Sequence, residues 1–501
     1  MKKRILSMLL AATMVLSMFG CGASEETTTV KEESSTVEEA TEATEVAQQE
    51  PVTLKFHTSA PEQKDQQAVF DELNKYFQEK YNTTVEWTFM GGEYEDKIGV
   101  IIGSGEEYDA CFTSNWKNDY LTNVERGAFV DISGMLADYP ALYASMPEAF
   151  WDAATIKGGI YAVPNQQITA RQIATTIPTE YLEGTGYTAA DIESAESLLD
   201  LKGYLEAAKE NYGALFGGIE WDQLAYYLGY EMLGSVDLGI GVKYGDSKVV
   251  NVYDTEEFKQ VCKELAELQK MGLYDDQQAV DLDYALSQRT AKRSSITYGG
   301  TMKPGGDVET SQRYGYPCTQ TGSGTAYLTT GGILATMWGV SSTSQHPDRV
   351  LQILELLATD PYVMNLISYG IEGVHYEFID DAKTTIRSIE DGGYAPSYSW
   401  AFGNVFLTHV YEGQPTDVWE QTAELNATAE VSPLMGFSYS MANVEAEAAN
   451  IVNVVQSYKG IMTGTLDVDA TQKEMVEKMN VADMEAVIAD AQAQIDTFLG
   501  K

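Results

Sequence analysis

Apolar and polar residues alternate over Val52, Leu54 and Phe56, and again over Val85, Trp87 and Phe89. That alternation is the pattern of a strand with one buried face. Between them, from about Asp65, Val69, Phe70, Leu73, Tyr76 and Phe77 recur at helical spacing. A short helical stretch over Glu93–Ile102 then leads through Gly103 to an apolar strand, Asp109–Phe112. The order β-α-β-α-β predicts a parallel sheet with right-handed crossovers. The loops after its strands carry Ser59, Gly91-Gly92 and Ser114-Asn115-Trp116. In open α/β sheets ligands sit at such carboxyl ends.

Farther on, the pattern predicts a helix around Tyr139–Thr155, a turn at Lys157-Gly158-Gly159 and a strand Ile160–Asn165 stopped by Pro164. The chain is expected to cross between domains near Gln166–Ile168. Residues 179–290 read as mostly helical. The clearest helix starts at Asp254, with Glu257 closing a capping box, Phe258, Val261, Cys262, Leu265 and Leu268 on one stripe, and Gly272 at its end. Ser295–Tyr298 reads as a short strand before Gly299-Gly300. Residues 299–325, rich in Gly, Ser and Thr, read as loops, and Gly331–Ser341 as a buried strand. Ser344 and Pro347 open a helix with Val350, Leu351, Leu354 and Leu357 inward, and a second runs from Asp360 to Tyr369. The stretch 394–420 is aromatic and turn-rich. After Pro433 come three helical patterns, over 443–458, 470–479 and 482–498.

The N-terminus has a separate logic. Lys2, Lys3 and Arg4 precede an apolar run, Ile5–Phe19, closed by Gly20 and Cys21. The run falls short of the ~20 residues that span a bilayer. It reads as a secretory signal. A cysteine after a small residue resembles a bacterial lipobox, which implies lipidation of Cys21, although Met18 and Phe19 depart from the usual pattern. The alternative is an ordinary signal peptide with an incidental cysteine. Residues 22–50 are Glu, Thr, Ser, Ala and Val with almost no large apolar side chain, so they read as a disordered acidic tether.

Composition narrows the function. The chain has 501 residues and a formal net charge of -43, which argues against nucleic acid and anionic lipid surfaces. Apart from Cys21, the cysteines are Cys111, Cys262 and Cys318; no CxxC spacing occurs, so they read as buried thiols. The four histidines, His57, His346, His375 and His409, form no HExxH, and no GxSxG occurs. Asp467 and Asp469 make a partial calcium-loop pattern that lacks the glycine and the distal glutamate. No catalytic set, metal or cofactor is expected.

Several stretches carry a family resemblance. Lys157–Pro164, KGGIYAVP, looks like a "dGkiYavP" element with Gly where Asp is common. Gly339–Asp348, GVSSTSQHPD, looks like "aIsktSknPe". Leu357–Glu377 contains Thr359-Asp360, Tyr369-Gly370-Ile371-Glu372-Gly373 and His375-Tyr376-Glu377, similar to "tD…yGiEGkhYe". Ser432–Ser438 and the helix Asn450–Tyr458 look like a C-terminal domain of uncharacterised function. In this order they resemble the family-1 extracellular solute-binding lipoproteins of bacterial ABC importers. The resemblance implies an α/β, type II periplasmic-binding-protein-like clamshell, with two lobes joined by a hinge and a C-terminal helical extension. The division it suggests is a signal peptide over 1–20, a lipidated cysteine and tether over 21–50, and a first α/β lobe over 51–165 plus 313–358. A second, mostly α lobe takes 166–312 plus 359–430, and a helical module packed on the lobes takes 431–501. It also implies a non-enzymatic monomer, lipid-anchored on the outer face of the cell membrane. Such a protein captures a solute, most often an oligosaccharide, and passes it to permease subunits in the membrane. A surface glycan hydrolase, a binder of peptides or other solutes on the same fold, and an adhesin stay open as alternatives.

A sugar offers flat C–H faces and a rim of hydroxyls, so its site needs aromatic plates and polar side chains. The chain has 31 tyrosines and seven tryptophans. Trp116, with Asn115 beside it and Asp119 nearby, follows a parallel strand. Tyr161 lies within a strand and suits core or cleft equally. Asn165 and Gln166, with Gln167, sit at the crossing. Trp221 stands between Glu220 and Asp222 after Gly217-Gly218, and Tyr298 precedes Gly299-Gly300. Glu372 lies between Gly370 and Gly373, where it either accepts sugar hydroxyls or braces backbone. Trp400 and Asn404 fall in the aromatic loop. Trp338, in an apolar run, is expected in the core.

Overall fold

In a computed structural model of the chain, residues 49–501 are described; the signal peptide, Cys21 and the tether as far as residue 48 lie outside them. The opening pattern folds as its periodicity predicts. Val52–Thr58 pairs in parallel with Thr83–Phe89 and with Ala110–Thr113. Gln66–Tyr81 and Tyr94–Ser104 are the connecting helices. Two strands from farther along complete this first sheet: Met337–Val340 lies antiparallel to Ala110–Thr113 and to Ala162–Pro164.

The second sheet has the order Glu430–Val431, Cys318–Leu328, Ala170–Pro178, Ser294–Thr301, Leu215–Ile219. Cys318–Leu328 falls in the segment read as loops. Its Gly, Ser and Thr content hides a strand that is set by its neighbour: it pairs with Ala170–Pro178 from Cys318 opposite Pro178 to Leu328 opposite Ala170. The second lobe is therefore α/β, not mostly helical.

Three further boundaries differ from the sequence pattern. The helix around Tyr139–Thr155 is two short helices, Pro140–Ala144 and Glu148–Ala154. They are separated at Pro147, which has no N–H to continue the ladder. The strand over Gly331–Ser341 begins only at Met337, because Thr330–Ile333 forms a helical turn capped by Thr329, whose Oγ1 accepts from Gly332 N at 3.0 Å. A side chain at Gly332 would stand 2.3 Å from Thr169 O, so the turn needs glycine to lie against the first crossing. The helix Glu256–Lys270 is capped by Thr255, not Asp254, which ends a preceding 3₁₀ turn.

Each lobe has its own core. Leu54, Phe56, Phe112, Trp338, Leu354 and Ile367 belong to the first, and Trp338 is buried as expected. Ile177, Phe216, Leu265 and Ile296 belong to the second. Cys111, Cys262 and Cys318 are buried free thiols. The division of the chain between lobes differs from the suggested one at two places. Cys318–Leu328 hydrogen-bonds in the second sheet. Pro361–Tyr369 buries Val363, Met364 and Ile367 in the first core, where Tyr394 and Phe402 join it. Asp360, which caps that helix, also accepts from Tyr76 Oη at 2.6 Å, and this bond holds the segment against the first lobe.

The C-terminal helices Glu445–Tyr458, Val468–Val481 and Met484–Phe498 pack into the second lobe. Ile451, Val455, Met475, Met479, Val487 and Ile495 lie inside the second core. Full burial of such a side chain contributes about 1.5–3 kcal/mol. Gln472 Nε2 donates to Tyr253 O, and Gln492 Oε1 accepts from Val249 N, so polar contacts fix the same packing. Asp467 caps a helix by accepting from Ala470 N, and Asp469 pairs with Lys263 at 2.8 Å.

The chain passes between the lobes three times, and the three passages lie side by side. Arg171 stands opposite Tyr327, and Tyr327 opposite Glu430; Ala170, Leu328 and Val431 form the next rung.

Candidate functional site

Both sheets turn their carboxyl ends toward the first passage. In the first sheet Met337 stands opposite both Thr113 and Pro164, so the two parallel strands end at one edge. The second of them runs directly into Asn165 and Gln166. In the second sheet Leu215–Ile219 and Ser294–Thr301 are parallel and end at Glu220 and Thr301. Ile173, just after the passage, is opposite Thr301. The crevice position of an open α/β sheet is thus doubled across the hinge.

On the first-lobe edge the loop Ser114-Asn115-Trp116 is fixed by its own backbone. Ser114 Oγ accepts from Trp116 N at 3.2 Å and from Lys117 N at 2.8 Å. Asn115 is exposed, with its N–H donating to Leu334 O. The Trp116 indole donates to Ala335 O at 2.8 Å, yet the residue remains 54% exposed. Its ring centroid is 6.3 Å from that of Trp400, and Tyr398 lies 4.4 Å from Trp400 on the other side. Phe112 supports both tryptophans from 6.2 and 6.0 Å. Tyr398 Oη meets Ser59 Oγ at 3.1 Å. The result is a rigid aromatic platform at the strand ends, with amphipathic faces of the kind that receive flat apolar surfaces. Asp119 is not part of it: its carboxylate accepts from Thr122 N and caps the helix Tyr120–Glu125.

Asn165 and Gln166 are 2% and 7% exposed. Asn165 N donates to Thr336 O and Gln166 N to Gly403 O, while Gln166 O accepts from Val405 N. Asn165 Nδ2 and Gln166 Nε2 are buried without a hydrogen-bond partner. Leaving such a donor unpaired costs about 1–3 kcal/mol, so each calls for an acceptor from a ligand or a water. Both residues line a pocket with Trp338, Phe402 and Asn404. Asn404 itself is spent on structure, donating to Ala358 O and accepting from Phe406 N. Tyr161 is half-buried with its ring folded over Gly159, where a side chain would meet its Oη at 2.7 Å. Its N–H donates to Tyr120 Oη. It packs on the first core.

Two aromatic candidates prove to be core. Trp221 is 9% exposed, stacked on Tyr253 at 5.2 Å, with its indole donating to Asp237 Oδ1 at 2.7 Å. Tyr298 is 4% exposed, edge-on to Phe216 and Tyr227, and burial drives its phenol pKa far upward. Trp221 follows a strand and Tyr298 lies within one, and both rings fall on the side the second core occupies. Glu372 is half-exposed and its carboxylate pairs with the Lys383 side chain at 2.7 Å, a surface ion pair and not a brace on backbone amides.

The second-lobe edge carries residues that aromatic weighting of the sequence passes over. Arg171 Nη2 donates to Gln223 Oε1 at 2.9 Å, and its guanidinium lies 4.8 Å over the Tyr226 ring. Arg289 pairs with Glu220 at 2.5 Å, both largely buried. Gly299, lacking a side chain, makes room for that carboxylate: a Cβ there would stand 2.4 Å from Glu220 Cδ. The signal that points to Arg171 is its position, five residues beyond Gln166 on the far side of the passage.

Comparison with known proteins agrees with this architecture. Residues 433–500 match the family described as Domain of unknown function (DUF3502). A carbohydrate ABC transporter substrate-binding protein of Streptococcus pneumoniae serotype 4 is 27% identical over 446 residues, 86% of this chain and 88% of its own. The crystal structure of the N-glycan transport solute binding protein (NgtS) from Streptococcus pneumoniae matches with a TM-score of 0.79 at 24% identity. The match covers 90% of this chain and 100% of that one. An HMO-binding, ABC-transporter-associated solute-binding protein from Bifidobacterium longum infantis matches with a TM-score of 0.64 at 14% identity, over 90% and 99%. The fold is the two-lobed, type II solute-binding fold. In sequence and in fold, the chain is similar to the extracellular solute-binding proteins of bacterial ABC transporters, and its residues 433–500 match the DUF3502 family.

Proposed function

We propose that this chain is a non-enzymatic, lipid-anchored capture protein on the outer face of the cell membrane, monomeric, that binds an oligosaccharide and delivers it to ABC permease subunits. The observation that carries the reading is the platform of Trp116, Trp400 and Tyr398 at the strand ends, together with the buried, unpartnered amides of Asn165 and Gln166 at the start of the first passage. Sugar C–H faces suit the rings, and sugar oxygens suit the amide donors. The names of its relatives favour the same class: NgtS has been crystallised with Man1GlcNAc and Man5GlcNAc, and a more distant match with kestose. The ligand docks on the first-lobe platform, and closure around the three passages brings the second lobe onto it; only contacts made with both lobes favour the closed form.

The test is a melting-temperature and calorimetry screen with Man5GlcNAc, kestose and a peptide panel, followed by small-angle scattering. A rise in melting temperature with one glycan, a dissociation constant near micromolar (about -8 kcal/mol) and a smaller radius of gyration support it. A response to peptides alone, or turnover of a glycan, overturns it.

A further inference from the structure

In a chain with a net charge of -43, a cation at the ligand edge should find a carboxylate partner. Arg289 does: Glu220 neutralises it. Arg171 does not. Among the described residues no carboxylate lies within ion-pairing distance of it; its hydrogen bond goes to the neutral amide of Gln223, and its flat face rests on Tyr226. Gln223 is held in turn by donating Nε2 to Asp222 Oδ2 at 3.1 Å. A guanidinium has five N–H donors in a rigid fork, and this contact uses one. The plane is therefore fixed by an amide on one edge and a ring beneath, while the other edge keeps its donors. Its backbone is fixed too. Asn426 Oδ1 accepts from Thr169 N and Ala170 N immediately before it, and Arg171 stands opposite Tyr327 in the ribbon that joins the lobes.

Resting on the capture reading above, we propose that Arg171 is the residue through which the second lobe grips a ligand already lying on Trp116 and Trp400, donating its free fork edge to two adjacent oxygens of an uncharged sugar ring. Asp222, beside Gln223 in the same loop, disfavours a carboxylate at that place and so favours a neutral hydroxyl pair. Gln223 and Tyr226 act as positioning residues for the fork. Arg171 thus governs closure more than docking.

The experiment uses the full folded chain with Man5GlcNAc and kestose as probes. Arg171→Met keeps the alkyl stem and removes the fork; Arg171→Lys keeps the charge and loses the bidentate geometry; Gln223→Met frees the guanidinium to turn. The expected result for Arg171→Met is an unchanged melting temperature without glycan and affinity lowered about 10- to 100-fold. Glycan added to saturation still changes tryptophan fluorescence but no longer reduces the radius of gyration. Arg171→Lys falls between, and Gln223→Met loses less affinity than Arg171→Met. If Arg171→Met unfolds, Arg171→Lys and Gln223→Met carry the same readouts. Glycan binding and compaction within twofold of the unchanged protein in all three variants overturns the inference and leaves the capture reading standing. Loss of the fluorescence change at saturation, in a variant of normal melting temperature, also overturns it, since Arg171 would then serve docking. If neither probe binds the unchanged protein, the capture reading fails and this inference with it.

Discussion

Ser432 Oγ donates to Glu231 Oε2 across 2.5 Å, where the third passage leaves the second sheet. The same hydroxyl accepts from Leu434 N, and Ser432 N donates to Leu328 O, so Glu231 is bonded to the ribbon that joins the lobes. Burial raises the Glu231 pKa to about 7, against the Ser432 hydrogen bond, which pulls it down. The folded state therefore holds this proton over a range in which the unfolded chain has already released it. The stability this provides is present at acid pH and lost as the pH rises from the ordinary glutamate value to about 7. Urea unfolding of the unchanged protein should lose on the order of 2–3 kcal/mol more between pH 5 and pH 8 than unfolding of Glu231→Gln, which lacks the titrating group. Parallel slopes for the two would remove the buried carboxyl from the pH response.

Trp116 and Trp221 should separate binding from stability. Trp116→Ala removes a half-exposed ring of the platform, so glycan affinity falls about 10- to 100-fold while the melting temperature barely moves. Trp221→Ala empties a stacked site in the second core and costs about 3–5 kcal/mol of folding stability. Calorimetry and thermal melts on both variants check the pair; the reverse assignment would mean that the first-lobe ring is structural.

Gly370 is constrained on two counts. Its φ of +82° lies in the left-handed region, and a Cβ would stand 2.3 Å from His375 Nδ1. That nitrogen accepts from Ile371 N at 2.8 Å, and Nε2 meets Asp65 Oδ2 at 3.0 Å. Gly370→Ala should destabilise by about 2–4 kcal/mol through backbone strain and the displaced imidazole. Equilibrium denaturation reads this directly, and a loss below 1 kcal/mol would show that the ring moves aside freely.

Ending the chain at Val431 should disable the second lobe. It would uncover the helix Glu256–Lys270, with Leu265 and its neighbours, on which the C-terminal segment packs. A shortened chain over 51–431 should show dye binding and a lost or broadened thermal transition, with the first-lobe core still melting cooperatively. A sharp single melt near that of the full chain would mean the DUF3502 helices are dispensable.

The elements legible in the sequence are those settled by local pattern. Val52–Phe56, the stripe ending at Phe77 and the Pro347 helix all fold where their periodicity places them. Cys318–Leu328 was hidden because Gly322, Ser323 and Gly324 carry no strand signal of their own; pairing with a strand more than a hundred residues away decides it. The candidate site was legible in part for a related reason. A turn after a strand marks Trp116 and Trp221 alike, yet the side of the sheet on which a ring lies is set by tertiary packing, and this sends one to the surface and the other inward. Arg171 is not legible in the sequence, because nothing in its own neighbourhood states that no carboxylate will come near.

The three adjacent passages make a ribbon with paired rungs at Arg171-Tyr327-Glu430 and Ala170-Leu328-Val431. A ribbon of that kind resists shear in its plane and yields by twisting. Its three segments must then turn together, so the molecule has one soft direction of motion. A membrane partner that recognises the shut form would be reading a single coordinate, and a proline placed in any one of the three segments, by removing a ladder N–H, should uncouple it from the other two.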